Sequence, residues 1–423
     1  MASAPTDVSG RTNLSIDRSD AASLRHVTAV DRWLAAAVQR TIADGPVRLE
    51  LWDGRRAAGA PDRAVGDLLV GDRRALLGLA VNANLYFGEA YMAGRIRIRG
   101  SLNEVIDALS RSRAANPSRW ERTTAFLARA NDIGAARRNV EHHYDLGNDF
   151  YSLWLDADMV YTCAYYADEA MTLDEAQRAK LDLVCRKLQL RPGETVVEAG
   201  CGWGALALHM AREYGVRVRA FNLSSEQLHW ARARAAREGL SGRVEFVEDD
   251  YRNVTGQCDA FASVGMLEHV GQRSYAALAD VLRRTIRRSG GRGLLHFIGR
   301  DVPRPLNAWI RRRIFPGAYV PALDEVARDV LAPADMSVVD VENLRLHYAR
   351  TLTDWSERFA AARERVRARS GEEFCRTWEL YLAGSEAAFR TGWMQLFQVV
   401  FAPRESPPPF FTRAPLYAGQ PRT

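Results

Sequence analysis

The feature that narrows this chain most is a short apolar run, Thr195–Ala199, that passes without a break into Gly200-Cys201-Gly202-Trp203-Gly204 and then into ALALHMAREY. Glycines at alternate positions let the chain reverse on backbone angles that side chains resist. A helix that starts at once presents free N–H groups to whatever lies over the turn. The alternation continues downstream. Strands are predicted at 216–222, 244–247, 260–265 and 294–298, with helices from Ser224 and over 275–286 between them. This order predicts an α/β fold, a doubly wound parallel sheet that binds its ligand at the carboxyl ends of the strands. Beyond residue 300 the segments WIRRRIF, LTDWSERF and FRTGWMQLFQVVF read as mostly helical and aromatic.

The rest of the 423 residues divides around this core. Residues 1–29 read as a polar tail and 30–112 as a small α+β domain. Residues 113–139 read as an Arg-rich linker, and 140–423 as the domain that carries the chemistry. A chain 47% apolar and 26% charged is neither disordered nor fibrous. No apolar stretch is long enough to span a bilayer, and the first 30 residues hold no signal-peptide core. The five cysteines (163, 185, 201, 258, 375) form no C-x-x-C pair. That argues against a disulfide framework or a thiolate metal site and predicts a cytoplasmic protein. His142-His143 cannot share a helical face, so no metal is expected.

Residues 1–140 hold 21 arginines and no lysine against 15 acids, whereas the remainder balances at 37 basic and 37 acidic residues. An Arg-rich composition alone reads as genomic base usage. As function, the excess would draw the first third to an anionic surface, membrane or nucleic acid.

The glycine turn fits a dinucleotide fingerprint formally, but the strand end that should carry a ribose-binding acid carries Asn222. Glu198, just before the turn, suits a ligand with positive charge, such as the ammonium and sulfonium of S-adenosylmethionine. Asp250-Tyr251 at the end of the third strand suit an adenine ring. After the fourth strand stands SVGMLEH, not the Asn/Asp-Pro-Pro-aromatic motif of enzymes that methylate base amino groups. Nucleic acid is therefore not expected as a partner.

Seven segments in order resemble the cyclopropane-fatty-acid synthase family, which includes the mycolic acid cyclopropane synthases: HYDLGNDFYSLWLD, MVYTCAYY, VVEAGCGWGALALHMA, SVGMLEHVG, LLHFIG, IFPG and LHYARTL. They span about residues 139–402. The resemblance implies a Rossmann-like class I methyltransferase core with helical acyl-binding additions, preceded by the small α+β domain. It implies methyl transfer from S-adenosylmethionine to a cis double bond in an acyl chain, with bound bicarbonate taking a proton from the resulting cation. The bicarbonate holders carried over are Cys163 and Ile298 through their backbones, with Glu268, His296 and Tyr348. The cofactor residues carried over are Tyr161, Thr162, Glu198, Gly200, Gly202, Asn222, Gln227, Asp250 and Tyr251. Tyr166, Trp203, Tyr319 and Phe397 are expected along an acyl tunnel.

Five positions depart from the family's usual pattern: Thr162, Glu198, Ala199, Leu267 and Phe297, the last two expected beside the tunnel and the bicarbonate. The implied substrate is an unsaturated phospholipid chain, reached by peripheral docking on the inner membrane face through Arg311–Arg313 and the apolar residues around them. Longer family members suggest a homodimer through the N-terminal domain. A methylene- or methyl-branched product is the alternative to a cyclopropane, and an inactive lipid-associated protein is a further one.

Overall fold

The computed structural model describes residues 26–43, 45–112 and 146–417. The expected linker, nearly all of the expected tail and His142-His143 lie outside them.

The first unit is a three-stranded sheet in the order β1 (Val47–Glu50), β2 (Gly66–Val70), β3 (Ile96–Gly100), with β1–β2 parallel and β2–β3 antiparallel. Helices Ala29–Thr41, Arg73–Met92 and Leu102–Arg111 cover it. Thr28 and Asp31 form a reciprocal cap at the start of the first helix. Asp31 also takes two hydrogen bonds from Arg73, at 2.8 and 2.7 Å, and so ties the first two helices together. The second helix breaks at Asn82 (φ −156°), whose side-chain oxygen caps the new turn at Leu85. Strand β2 escapes the sequence reading because GDLLV is buried on both faces and shows no alternation.

The larger unit is a seven-stranded sheet. Its strands are β4 (Thr195–Ala199), β5 (Arg217–Asn222), β6 (Val244–Glu248), β7 (Ala260–Val264), β8 (Arg292–Gly299), β9 (Met336–Asn343) and β10 (Gln395–Pro403), in the order β6-β5-β4-β7-β8-β10-β9. The first five are parallel, and the order reverses at β4, the switch point where α/β sheets bind ligands. The sheet is not parallel throughout, because β10 runs antiparallel to both β8 and β9. Reading FRTGWMQLFQVVF as helical is therefore corrected. The helix stops at Gly392 (φ 85°), and the next segment is a strand with every residue buried. A strand covered on both faces loses the period-2 signal that would reveal it. Burying a side chain such as Phe401 stabilises the fold by about 1.5–3 kcal/mol.

Arg345–Thr391 folds back at Gly371 (φ 84°) into a helical hairpin, so that Arg345 reaches the carbonyls of Phe389 and Arg390. The small domain sits on this hairpin and on the helix Ala308–Arg313. Asn103 donates to Glu386 at 2.7 Å, and the Trp393 indole donates to the Ser110 carbonyl at 2.8 Å. A Cβ at Gly88 would fall 2.4 Å from the Trp309 ring, whose N–H points at the Met92 sulfur. Arg313 is paired with Glu89 at 2.6 Å. Trp309 and Ile314 are thus buried against the protein's own chain. The expectation that this segment inserts into a bilayer is corrected: its apolar residues brace the two units.

Candidate active site

Two cavities meet at the carboxyl edge of the sheet. The polar one, about 150 Å³, lies over the glycine turn. Gly200, Gly202 and Gly204 all have positive φ, and a Cβ at Gly200 would fall 2.9 Å from the Met266 side chain, so this turn requires glycine. Every residue proposed for the cofactor lines this cavity: Tyr161, Thr162, Glu198, Gly200, Gly202, Asn222, Gln227, Asp250 and Tyr251. Asn222 donates to Gln227 Oε1 at 2.8 Å, which leaves the buried Gln227 Nε2 and the buried Tyr251 hydroxyl unpartnered and able to donate to a ligand. Asp250 is held by Arg252 through both carboxylate oxygens, which restricts how it can meet an adenine.

Lys180 also lines this cavity and went unassigned in the sequence. Its ammonium is buried and donates to the Thr162 hydroxyl at 2.8 Å. Burial pulls its pKa down to about 8. Burial also pushes Glu198 up to about 8, while the Lys180 charge pulls it back.

The second cavity, about 400 Å³ and mostly apolar, runs between the two units. Its walls include Tyr348, Leu352, Leu380, Tyr381 and Phe389 from the hairpin, and Leu68, Leu79, Phe87 and Ile106 from the small domain. Tyr161, Thr162, Gly265 and His269 line both cavities, so a thin wall separates the polar site from the apolar one. Burial lowers the His269 pKa to about 4, so this wall residue is neutral at physiological pH.

Glu268 stands at the inner end of the apolar cavity with Ile298 and Tyr348. Its Oε1 accepts the Ile298 N–H at 2.5 Å, and its buried Oε2 has no partner. Burial pushes its pKa up to about 7, against the pull of the Ile298 hydrogen bond. The Ile298 amide, expected to face an anion directly, is instead occupied in orienting this carboxylate. His296, two residues back on the same face of β8, is buried, and burial drives its pKa well below the ordinary value. Gln398 on β10 lies directly opposite and contacts its Nδ1 at 3.0 Å. With the amide donating there, the ring proton sits on Nε2, which is buried and unpartnered. His296 and Cys163 lie behind the cavity walls, and the Cys163 thiol donates to the Ala164 carbonyl. Burial raises the thiol's pKa.

The aromatic residues expected along the acyl tunnel are elsewhere. Tyr166 donates to Asp354 and Tyr319 to Glu325, Trp203 lines the polar cavity, and Phe397 packs on Phe297. Phe297 points to the face of β8 opposite His296, as strand alternation requires, and does not crowd that site. Leu267 is buried in the same core and lines neither cavity.

Residues 132–399 match the family described as mycolic acid cyclopropane synthetase, and residues 35–117 match a domain of unknown function, DUF7884. A probable fatty acid methyltransferase of Pseudomonas putida is 38% identical over 84% of this chain and 91% of its own length. Tuberculostearic acid methyltransferase UfaA1 of Mycobacterium tuberculosis is 36% identical over 88% of this chain and 91% of its own. The cyclopropane-fatty-acyl-phospholipid synthase of Escherichia coli K12 is 40% identical over 62% of this chain and 67% of its own. Among solved structures, mycolic acid cyclopropane synthase CmaA1, complexed with SAH and CTAB, superposes with a TM-score of 0.59 at 32% identity, covering 63% of this chain and 97% of that one.

Proposed function

Because the chain belongs to the mycolic acid cyclopropane synthetase family, we propose that it transfers a methyl group from S-adenosylmethionine to the double bond of an unsaturated phospholipid acyl chain and closes a cyclopropane. The observation that carries this reading is the wall shared by the two cavities. A charged donor on the polar side and an alkene on the apolar side would meet across Tyr161, Thr162 and Gly265. An alkene is a weak nucleophile, so the site must align the reactants and exclude water.

The donor's positive end would draw the Glu198 carboxyl, held up at about 8 by burial, into its ionised form, while Asn222 and Gln227 would hold its ribose and Asp250 and Tyr251 its adenine. On the acyl side, Tyr161, Tyr348 and Tyr381 line the cavity, and a π face turned to the chain would stabilise a cation formed there. Loss of a proton from the transferred methyl then closes the ring. The residues fit a small hydrogen-bonding anion such as bicarbonate, because Glu268 Oε2 and the His296 Nε2–H are buried polar atoms without protein partners. Glu268, His296 and Tyr348 would hold it, with the Cys163 backbone behind. When bound, bicarbonate supplies the base for that proton. Glu268 in its ionised form accepts a hydrogen bond at Oε2 and keeps the base oriented.

A branched product is favoured by one observation: two relatives that match 84% and 88% of this chain are named a probable fatty acid methyltransferase and a tuberculostearic acid methyltransferase. Either product arises from the same cation.

The lipid partner places the enzyme at a membrane surface. Among the described residues no helix is long and apolar enough to cross one. Val30, Trp33, Leu77 and Val81 are exposed on two helices of the small domain that pack together, and such exposed apolar side chains suit a bilayer surface.

Glu268→Gln tests the chemistry. The expected result is a loss of turnover of about 100-fold or more, with S-adenosylmethionine affinity within about threefold of wild type. Undiminished turnover would reject the assignment.

A further inference from the structure

Arg300, Arg304 and Arg311 all line the apolar cavity, and among the described residues Glu268 is its sole acidic lining residue. Arg300 is the unusual one. It follows β8 directly, two residues past Ile298 on the same side, which places its backbone about 7 Å along the strand from the Glu268 contact. It is 7% exposed, and its buried Nε has no hydrogen-bond partner. Its Nη1 donates to the carbonyls of Arg304 and Pro305, neutral acceptors that leave the charge uncompensated. Burial lowers its pKa to about 10, so the guanidinium stays charged at neutral pH.

Arg304 lies over the Trp393 ring at 4.9 Å, and among the described residues none of the three arginines pairs with a carboxylate. Their neighbours Arg312 and Arg313 do, through Glu89. A buried charge without a counter-charge is costly, and the cost is recovered only if an anion arrives to share the site. The small-domain part of the lining includes the apolar side chains of Leu68, Leu79 and Ile106.

We infer that Arg300, aided by Arg304 and Arg311, is the anion-binding end of the acyl cavity and receives the phosphodiester or carboxylate of the substrate lipid. The chain then lies in one direction, with its anionic head at these arginines, its double bond at the Glu268–Tyr348 wall and its methyl end in the small domain. This rests on the acyl reading of the cavity. It also gives the small domain a task, to enclose the far end of the chain.

The test uses the full chain and lipids presented one at a time in neutral detergent micelles, which removes bilayer charge. Four ligands are compared: an unsaturated phospholipid, the free unsaturated acid, its uncharged methyl ester, and inorganic phosphate as a competitor. Arg300→Gln is expected to raise KM for the phospholipid at least tenfold with kcat within about threefold, and to leave KM for the methyl ester near the wild-type value. Arg300→Lys should restore part of the loss. The Arg304→Gln/Arg311→Gln pair, which leaves the Arg300 hydrogen bonds to backbone in place, should give a smaller rise.

An equal loss on the phospholipid and free acid marks a general anion site, whereas a loss on the phospholipid alone marks a phosphodiester site. Competition by inorganic phosphate against the phospholipid supports the site as well. Equal KM changes on charged and uncharged lipids would overturn the inference, because Arg300 would then merely hold its loop. No change on any lipid would overturn it too. Micelle-bound lipid affinity, read by displacement of a fluorescent lipid, needs no turnover. If wild type binds lipid with this arginine dependence but makes no product, the proposed reaction fails while the anion site stands.

Discussion

The two cavities differ in how they are built. The polar one is assembled largely from residues at their own strand ends: the turn after β4, Asn222 ending β5, Asp250 after β6 and Gly265 after β7. The apolar one is assembled from segments as far apart in the chain as Val38 in the small domain and Met394 beside β10. The first is fixed by backbone conformation, the second by how two folded units dock. Changes to one should therefore leave the other's ligand untouched.

The largest effect is expected where the backbone has no latitude. Gly200→Val combines a left-handed φ with a clash at Met266, and S-adenosylmethionine affinity should fall more than 100-fold by calorimetry, while lipid affinity holds. Its counterpart is Gly88→Val, which must displace the Trp309 ring. Lipid turnover should fall at least tenfold with cofactor affinity unchanged. Parallel loss of both ligands in either variant would break the comparison.

Beside the shared wall, pH should separate the roles. Glu268 is held up at about 7, and its ionised form is the active one, so kcat/KM should rise with pH through that region. The stability contribution has the opposite slope. A carboxyl whose pKa is raised on folding favours the fold below its ordinary value of 4.5, and this is lost as pH rises through about 7. Gln398→Leu removes the group that fixes the His296 ring, and kcat should drop about tenfold with cofactor affinity unchanged. A flat rate would show that the ring's orientation is set elsewhere.

Smaller effects belong to the surface of the small domain. Trp33→Ser with Val81→Ser should weaken sedimentation with anionic vesicles about three- to tenfold and spare turnover in micelles. If the variant alters only the oligomeric state in sedimentation velocity, the face joins two copies of the chain instead. Asp31→Asn, which loses a buried charge-assisted pair with Arg73, should cost about 1–3 kcal/mol in denaturant unfolding.

This contrast also explains what could be read from residues alone. The residues assigned to the cofactor stand in short contiguous motifs, so the family resemblance carried them over together, and all of them line one cavity. The acyl wall has no such record. Which of many aromatic rings faces a cavity depends on strand register and on a domain interface, so Tyr166, Trp203, Tyr319 and Phe397 were misplaced while Tyr381, Phe389 and Trp393 went unnoticed. Gln398 sits in a strand whose uniform burial hid it. Lys180 did leave a signal. It and Lys187 are the only lysines in an Arg-rich chain, and both are buried where a compact ammonium fits.

The central claim is that a methyl carbon from S-adenosylmethionine becomes bonded to an alkene carbon of a lipid chain. Incubation with S-adenosylmethionine carrying a ¹³C methyl group and unsaturated phospholipid vesicles, followed by NMR of the extracted acyl chains, tests it directly. The expected result is labelled cyclopropane CH₂ signals; labelled vinylic or branched-methyl signals would keep the transfer and change the product. Label confined to nitrogen, oxygen or released methanol, with acyl chains unlabelled, would contradict the account.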